Sequence, residues 1–592
     1  MKAKPACKYL LSLAASFAIW AVQPLFAANQ TPVQPNDILL KAMQAELNRS
    51  FSKLKTAADA PLYFIAYRIY DVESCEFTGE FGALKSEQSS NHKRTLEVEI
   101  RVGNPHLDNT HSSRSGSFSL SLDRLFSTRT PIPIDDDEAA IRTVLWERTD
   151  SAFKSAQSAY AKLQAEQDVK LADEDKSDDF SLEKPVTHIG PKLSLDVNEN
   201  AWKDRVRHLS NIYRAYPEIK DSSVEFSAKK TRRYLVTSEG STIEDEKLEY
   251  RVYTTAEAAA DDGMKVWLYD GVEASSKDEI PNDQKLEQMV KKLAEDLRQL
   301  RVAKAAEPYA GPAILMAKSA GVFFHEIFGH RIEGHRQKDE TEGQTFTKMV
   351  GQQVMPSFIT VTDNPLTQKI GDKTLNGYYL YDDEGVPAQN VKLVDAGILK
   401  NFLMSRSPIK GFDKSNGHGR SAPGKAPVAR QGNLTVSSSK TVPFPELRSM
   451  LIAEVKKQNK PYGLIFDELA GGFTLTHSSQ PQVFALKPLR VWRVYPDGRP
   501  DELLRGVDLV GTPLASLESI ISAASDLDTF NGTCGAESGY VPVSASSPSL
   551  LVKTIEVERN QKDRDKAPIL PAPDSLEGQS ADKHADKGAK SE

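Results

Sequence analysis

One stretch of the sequence concentrates side chains that could bind a metal ion. It reads FFHEIFGHRIEGH over residues 323–335 and holds three histidines and two glutamates. His325 and His330 are five positions apart, whereas two histidines that share one helix face to bind zinc are four apart, as in H-E-x-x-H. Two interpretations stay open: a metal site on a distorted helix, or a partly buried helix whose histidines make hydrogen bonds.

A metal site at this spacing requires a local change of helix geometry. Positions five apart in a regular α-helix differ by about 140° in direction, so the two imidazoles diverge. A π-bulge, with hydrogen bonds from residue i to i+5, would turn them to the same side. We therefore predict a departure from regular α geometry around residues 325–330, in a helix that starts near Gly321 and is capped by Ser319.

The residues around the two histidines suit hydrolysis. Catalytic zinc usually has three protein ligands and one open position for water. Glu326 follows the first histidine and is a candidate general base for such a water, whose pKa zinc lowers to about 7. At this point the third ligand stays open. The candidates of suitable residue type are Glu333, His335, His418, His477 and Cys534.

Composition narrows the class of protein. The chain has 592 residues, of which 39% are apolar and 27% charged. These values are typical of a globular protein of roughly two to four domains. The formal net charge is −7. Nucleic-acid binders usually carry a strong basic excess, so no nucleic-acid partner is expected.

The N-terminus is typical of a Sec-type signal peptide. Three lysines precede an apolar run that ends near Phe26 and is followed by small residues. We expect a signal peptide over residues 1–27 and export to the periplasm or the exterior, with an uncleaved membrane anchor as the alternative. The mature chain would keep Cys75 and Cys534, which an oxidising compartment could join in a disulfide.

Hydrophobic periodicity predicts an α+β fold. Strict alternation over residues 94–102 indicates a strand, and apolar residues at helical spacing over 282–303 indicate an amphipathic helix. The predicted units are an N-terminal α/β sandwich-like domain (36–165), an acidic, solvated linker (166–186), a middle α+β section (187–307), a mainly β C-terminal domain (308–559) that carries the histidine helix, and a disordered tail (560–592).

Four stretches of the C-terminal half carry motifs in a characteristic order. They are HEIFGHRIEG, YDDEGVPAQNVKLVDAGILKNFL, SNGHGRSAPGKAPVARQGNLTV and FNGTCGAESGYVPVSASSPSLLVKTIEV. They resemble, in turn, the H-E-x-x-x-H, D-D-E-G-x-P, N-G-x-G-R and closing C-G segments of the TldD/PmbA metallopeptidases, once called modulators of DNA gyrase. The resemblance covers the chain from about residue 310 to 560.

The resemblance implies a zinc peptidase of the catalytic, TldD-like branch. His325, His330 and Cys534 would be the zinc ligands, and Glu326 the general base. A thiolate ligand is chemically sound, since zinc binding deprotonates the thiol. The chain departs from familiar members at His335, where they carry an acidic residue, and in its signal peptide, so we expect an exported variant. By itself His335 is expected to lie behind the ligands or at the surface.

A zinc-bound Cys534 competes with a disulfide to Cys75. Cys75 lies on the apolar side of a predicted N-terminal strand, whereas Cys534 follows a polar turn near the C-terminus. A disulfide needs Cα atoms within about 7 Å, and nothing in the local patterns brings the two together. We therefore predict two reduced cysteines, one buried and inert and one on zinc.

The expected activity is hydrolysis of peptide bonds in unfolded or extended polypeptides, in a homodimer or a heterodimer with a metal-free relative. An extended substrate could add to a strand edge, for which LAGGFTLT with Gly471 and Gly472 is the candidate and a simple bulge the alternative. Arg420 and Arg430 could hold a substrate carbonyl or carboxylate, or serve a surface or structural role. The alternative functions are a non-catalytic exported partner subunit and a zinc amidase acting on cell-wall peptides.

Overall fold

The structure, a computed structural model, describes residues 37–57, 60–111, 130–167, 176–339, 341–479 and 483–559. The predicted signal peptide and the predicted tail lie outside these residues. None of the helices in the described part is both long and apolar enough to cross a membrane.

The helices of these residues range from 4 to 30 residues in length, and 3-10 turns follow two of them. They are α1 (Ile38–Leu54), α2 (Glu138–Gln167), α3 (Glu199–Asn211), α4 (Asp283–Val302), α5 (Ala317–Ile327), α6 (His335–Lys338), α7 (Phe444–Lys457) and α8 (Pro513–Glu518), with 3-10 turns at Ile212–Ala215, Lys277–Glu279 and Gly329–Ile332.

A mostly antiparallel sheet forms the N-terminal half. Its strands are β1 (Leu62–Glu80), β2 (Ala83–Asn104), β3 (Leu107–Asp108), β4 (Thr130–Pro131), β5 (Thr187–Ile189), β6 (Ile219–Thr237), β7 (Thr242–Ala259) and β8 (Lys265–Ala274). The order is β3-β2-β1-β6-β7-β5, with β4 beside β2 and β8 beside β7. Because β1 pairs with β6 from Ala66–Thr237 to Gly79–Val224, the predicted N-terminal and middle sections share one sheet.

One face of this sheet is covered by helices. Ile65, Tyr67 and Ile69 of β1 pack in a cluster with α1 and α2. Further along the same strand, Cys75 and Phe77 pack in a second cluster with α3 and α4. Residues two apart in a strand point to the same face, so the alternation in the sequence places all five side chains on one face of the sheet. The predicted α+β class, with sandwich-like α/β layers, is confirmed.

The other face of the sheet meets the C-terminal half through the D-D-E-G stretch. Arg233 donates hydrogen bonds to the Asp383 side chain at 2.8 Å and to the Asp382 carbonyl at 2.8 Å. The Tyr70 hydroxyl donates to the Asp383 carboxylate at 3.0 Å. This motif of the resemblance therefore joins the two halves of the chain.

Residues 179–181, within the acidic stretch, are packed rather than solvated. Phe180 is 1% exposed, and the guanidinium of Arg406 lies 3.9 Å from its ring centroid. Arg406 also donates to the Ser181 carbonyl at 2.7 and 2.9 Å. The prediction of a solvated linker is wrong for residues 179–181, because the Phe180 side chain and the Ser181 carbonyl find partners across the chain, and residues 168–175 lie outside the described residues.

The C-terminal half is mainly β, as predicted. Its strands are β9 (Lys304–Ala305), β10 (Tyr309–Leu315), β11 (Ile359–Asp363), β12 (Lys369–Ile370), β13 (Lys373–Thr374), β14 (Val391–Asp395), β15 (Ile398–Leu399), β16 (Gly419–Arg420), β17 (Val428–Ala429), β18 (Asn433–Ser438), β19 (Thr441–Val442), β20 (Gly463–Thr474), β21 (Phe484–Val494), β22 (Glu502–Arg505), β23 (Val507–Gly511), β24 (Ile520–Ala524), β25 (Asp528–Ala536), β26 (Gly539–Ser547) and β27 (Leu550–Arg559).

Two sheets of this half enclose the histidine helix. The larger has the order β19-β24-β27-β10-β20-β21-β22-β9, with β23 beside β21 and β27, and the smaller has the order β15-β14-β11-β18-β26-β25. Helix α5 packs against β20 of the larger sheet and against β25 and β26 of the smaller one. Phe323, Phe324 and Ile327 of α5 are fully buried in the shared core. Residues carried by α5 are therefore held from both sides.

Candidate metal centre

Helix α5 begins and ends differently from the prediction. It starts at Ala317, and Ser319 lies inside it with a buried hydroxyl, so the predicted Ser319 cap is wrong. Gly321 allows the close approach of β26, because a Cβ there would lie 2.4 Å from the Ala545 carbonyl oxygen. The helix is thus positioned by packing on the smaller sheet rather than by its cap.

The departure from regular α geometry is confirmed, but it is not a π-bulge. Helix α5 ends at Ile327, and Phe328 has φ −113° and ψ −54°. A 3-10 turn, Gly329–Ile332, follows and carries His330. Since His330 lies beyond the helix end, the 3.6-residue period no longer sets the direction of its imidazole relative to that of His325.

The structure brings His325, His330 and Cys534 together. One ligand atom from each lies within 4.8 Å of the other two, and all three residues are buried. Nε2 of His330 is 3.3 Å from Sγ of Cys534, although the two residues are 204 positions apart. Nitrogen and sulfur atoms that share a tetrahedral zinc ion, at bond lengths of about 2.0–2.3 Å, lie roughly 3.3–3.6 Å apart. The separation therefore suits a common ion.

The donor set also suits zinc. Nδ1 of His325 is buried without a hydrogen-bond partner among the described residues, whereas buried polar atoms normally have one. Two imidazoles and a thiolate are ligands that zinc prefers in proteins. The residues present therefore fit a zinc ion held by His325, His330 and Cys534, the number of protein ligands that catalytic zinc usually has.

The charges around Cys534 favour its thiolate form. Burial raises the pKa of this thiol, but His330, His325 and Arg430 together bring the pKa well below its ordinary value. Burial in turn lowers the pKa of His330, and Cys534 and Glu333 more than offset this, so that pKa lies well above its ordinary value. The buried cluster therefore pairs an anionic thiolate with cationic side chains.

Glu333 supports His330 instead of completing the ligand set. Its carboxylate oxygens lie 3.4 Å from Nδ1 of His330, on the side of the ring away from Cys534. Nε of Arg336 donates to Glu333 at 2.9 Å. Burial by itself raises the pKa of Glu333, but the nearby His330 and Arg336 outweigh this effect and bring the pKa down to about 2. An anionic partner on Nδ1 leaves Nε2 as the ligand atom, an arrangement common among metal-binding histidines.

The other candidate third ligands lie elsewhere. His335 contacts Glu537, which belongs to the turn between β25 and β26. His418 is fully buried and lies beside Asp363 and Asn416. His477 is hydrogen-bonded to Ser479 at the surface. None of the three joins the described cluster, although His335 contacts the hairpin that carries Cys534.

Glu326 lies between the histidines and strand β20. Its Oε2 is 4.0 Å from Nε2 of His330. A Cβ on Gly472 would lie 3.3 Å from Cγ of Glu326, so this glycine keeps the main chain of β20 close to the carboxylate. The neighbouring Gly471 has φ +140°, a conformation that other residues rarely adopt. The predicted base is therefore placed against the main chain of β20.

Strand β20 has both of the features predicted for LAGGFTLT. It pairs with β10 only at Leu464, Ile465 and Phe466, so in the described part no strand covers that side of residues 468–474. On its other side β20 pairs with β21, with register shifts between Phe466 and Gly472. The segment is an irregular, bulged strand with one open edge.

The arginines of the site were not placed by sequence reasoning. Arg331 contacts the Thr474 hydroxyl and donates to the Leu475 carbonyl at 2.9 Å, which holds the end of β20 beside α5. Arg420 is buried and donates to the main-chain carbonyls of Gln431 and Pro542. Arg430 is buried against Cys534. A surface role for Arg420 and Arg430 is wrong, and the only signal for Arg331 was its position next to His330.

Both described cysteines are free in the structure. Cys75 packs with α3 and α4 on the N-terminal sheet, and Cys534 packs with Val541 and Val543 of β26. The two thiols thus belong to different hydrophobic clusters in different halves of the chain.

Comparison with known proteins agrees with this geometry. Residues 309–559 match the PmbA/TldA metallopeptidase C-terminal domain. A metalloprotease of Methanothermobacter thermautotrophicus is 27% identical over 356 residues, which cover 57% of this chain and 70% of that protein. A zinc metalloprotease TldD homolog of Saccharolobus solfataricus is 25% identical over 261 residues, covering 43% of this chain and about half, 53%, of that protein.

A solved structure shares the fold of most of the chain. TldE from Thermococcus kodakarensis aligns with a TM-score of 0.53 at 14% identity, covering 87% of this chain and 100% of that one. The buried His-His-Cys group between two sheets is thus carried by a metallopeptidase-type domain. Over residues 309–559 the chain is therefore similar to the TldD/PmbA family.

Proposed function

We propose that the chain is a zinc-dependent peptidase that cleaves peptide bonds in unfolded or extended polypeptides. The observation that carries the proposal is the grouping of His325, His330 and Cys534 within 4.8 Å, with the Glu326 carboxylate 4.0 Å from His330. Relatives named as metalloproteases support the reaction class. Zinc held by the three residues would activate a water and polarise the substrate carbonyl.

Glu326 would move the protons of the reaction. Its carboxylate lies beside the grouped residues without being one of them, so it is free to accept a proton from the attacking water. The same carboxyl group would then donate that proton to the leaving amine. His330 keeps its orientation through Glu333, and Cys534 through its strand, so neither needs to change its protonation state during turnover.

The open edge of β20 supports an extended substrate. A peptide that pairs with residues 468–474 would form main-chain hydrogen bonds, which give affinity with little demand on the side chains. Gly472 brings this edge to Glu326, so a bond of the paired peptide would lie within reach of the carboxylate. Cleavage of many unfolded sequences is the expected specificity.

We further propose that the enzyme acts after export and as a dimer. The lysine-rich start and apolar run of residues 1–27 support a Sec signal peptide and a periplasmic or extracellular location. The two forms proposed are a heterodimer with a metal-free relative and a homodimer, and the fold likeness to TldE is compatible with assembly with such a relative. The dimer form is tested by the mass of the purified particle, alone and co-expressed with such a relative.

The proposal is tested by Glu326→Gln. The substitution removes the proton acceptor and leaves the three grouped residues unchanged. We expect one zinc per chain, as in the wild type, and peptide hydrolysis reduced about 10²–10⁴-fold. The measurements are metal analysis and cleavage of an unfolded protein. Wild-type rates in this variant would contradict the role of Glu326, and a wild-type chain that binds zinc but cleaves no polypeptide would favour a non-catalytic subunit or an amidase.

A further inference from the structure

Two fully buried charged residues, Glu333 and Arg430, lie behind the grouped histidines and cysteine. Burying an ion pair contributes little net stability, because desolvation offsets most of the attraction. Stability alone therefore does not account for a guanidinium at this place.

The contacts of Arg430 centre on one residue. Its Nη2 donates to the Cys534 carbonyl at 2.7 Å and lies 3.1 Å from the Cys534 sulfur. Its Nη1 donates to the Ser538 hydroxyl at 2.9 Å and to the Gly539 carbonyl at 3.0 Å. A guanidinium is planar and its N–H groups have fixed directions, so these four contacts set the direction of the thiolate relative to the β25–β26 turn.

Glu333 connects this arginine to the histidine side of the site. Nε of Arg430 lies 3.4 Å from the Glu333 carboxylate, which also faces Nδ1 of His330. The contacts therefore run from His330 through Glu333 and Arg430 to Cys534. They join two of the grouped residues that are 204 positions apart in the chain.

We propose that Arg430 is a positioning residue that, together with Glu333, orients Cys534 and His330 as one unit toward the metal ion. The inference rests on the proposed function in that the ion is zinc. Two effects of the guanidinium have opposite signs. Its positive charge near the thiolate opposes the binding of a dication, whereas fixing the sulfur and the imidazole favours binding. We expect the fixed orientation of the sulfur and the imidazole to favour zinc binding more than the charge of the guanidinium opposes it.

The test is the zinc affinity of the full chain, measured by competition with a chelating dye. Arg430→Gln should bind zinc about 10–100-fold more weakly, the usual effect of removing a residue that orients a ligand. Arg430→Lys keeps the charge but loses the fixed fork, so it should also bind more weakly than the wild type. The lysine variant is the one to measure if the glutamine variant does not fold.

A second readout reports the sulfur itself. In the Co²⁺-loaded protein, the thiolate-to-cobalt charge-transfer absorption should weaken or shift in both Arg430 variants. Glu333→Gln should lower the zinc affinity as well. A variant that combines Arg430→Gln with Glu333→Gln should lose less binding free energy than the sum of the two single losses, because the two residues act through each other.

Arg406→Gln is the matched control. Arg406 is another buried arginine, 2% exposed, whose side chain pairs with Glu239 at 2.7 Å and with the Ser181 carbonyl and not with the grouped residues, Glu333 or Arg430. Its loss should lower the melting temperature and leave zinc affinity and the cobalt spectrum unchanged.

Four outcomes decide the matter. Weaker zinc binding and an altered cobalt spectrum in the Arg430 variants, with neither in Arg406→Gln, support the inference. Equal or tighter binding by Arg430→Gln overturns it and leaves the proposed function intact. An equal loss in Arg406→Gln also overturns it, since the effect would then be general destabilisation. A wild-type chain that binds no zinc overturns the inference and the proposed function together.

Discussion

Cys75 and Cys534 lie in two regions with the same burial and opposite chemistry. Each residue is 4% exposed, and each lies on a β-strand. Around Cys75 the neighbours are apolar, and burial with the nearby Glu199 raises the pKa of its thiol to about 11. Around Cys534 burial acts in the same direction, but two histidines and Arg430 bring the pKa well below its ordinary value.

Burial alone therefore does not make a cysteine inert. Desolvation disfavours the thiolate in both regions, and the sign of the net shift depends on whether cations lie within a few ångströms. The N-terminal sheet gives Cys75 an apolar core position, whereas strand β25 places Cys534 beside two histidines and an arginine.

Replacing each cysteine by alanine should give the largest contrast. Cys534→Ala removes one of the three grouped donors, so zinc content should fall from one per chain to a small fraction, and hydrolysis should be lost. Cys75→Ala should keep both. Metal analysis and peptide cleavage measure the contrast, and a Cys534→Ala protein with full zinc and activity would end the distinction between the two regions.

A disulfide between Cys75 and Cys534 would remove the difference between the two thiols. The two thiols lie in separate hydrophobic clusters, so we expect both to react with an alkylating reagent when the protein is denatured and freed of metal without a reductant. Mass analysis of the peptides would identify the alkylated residues. Recovery of a Cys75–Cys534 linked peptide would mean that oxidation removes one of the three grouped donors.

Removal of metal should lower the melting temperature only of proteins that keep Cys534. Zinc that binds the folded chain stabilises it by about 4 kcal/mol when its concentration is about 1,000 times the dissociation constant. A chelator should therefore lower the melting temperature of the wild type and of Cys75→Ala. The melting temperature of Cys534→Ala should not respond to the chelator. A response of equal size in all three proteins would place the zinc at some other site.

Alkaline pH should reveal the smaller effect at Cys75. Its pKa is raised in the folded state to about 11, so the folded chain holds the proton more tightly than the unfolded chain. The resulting stabilisation is complete below the unfolded pKa, near 8.5, and is lost as pH rises through about 11. Between these pH values the free energy of unfolding should fall more steeply for the wild type than for Cys75→Ala. Parallel curves would contradict the raised pKa.

Local pattern was sufficient for much of the architecture. Alternation placed Cys75 on the apolar face of β1, and helical spacing over residues 282–303 marked α4. Residue type also marked His325 and His330 as metal-binding candidates. These inferences depend on neighbours within one or two turns, which the order of residues specifies directly.

The remaining features depend on contacts between distant segments. Sequence reasoning from spacing left five candidates for the third ligand, and the resemblance selected Cys534. The structure places Cys534 beside His330 through a hairpin that packs on α5. The same holds for Phe180, which turns part of an acidic stretch into a packed segment.

The sequence by itself determined the residue types of the site, the α+β class and the faces of its strands and helices. Only the tertiary structure decided that α5 ends before His330, that β20 keeps an open edge beside Glu326, and that Arg430 faces Cys534. The physical reason is that periodicity specifies which side of an element is buried, whereas packing between sheets decides which buried side chains meet.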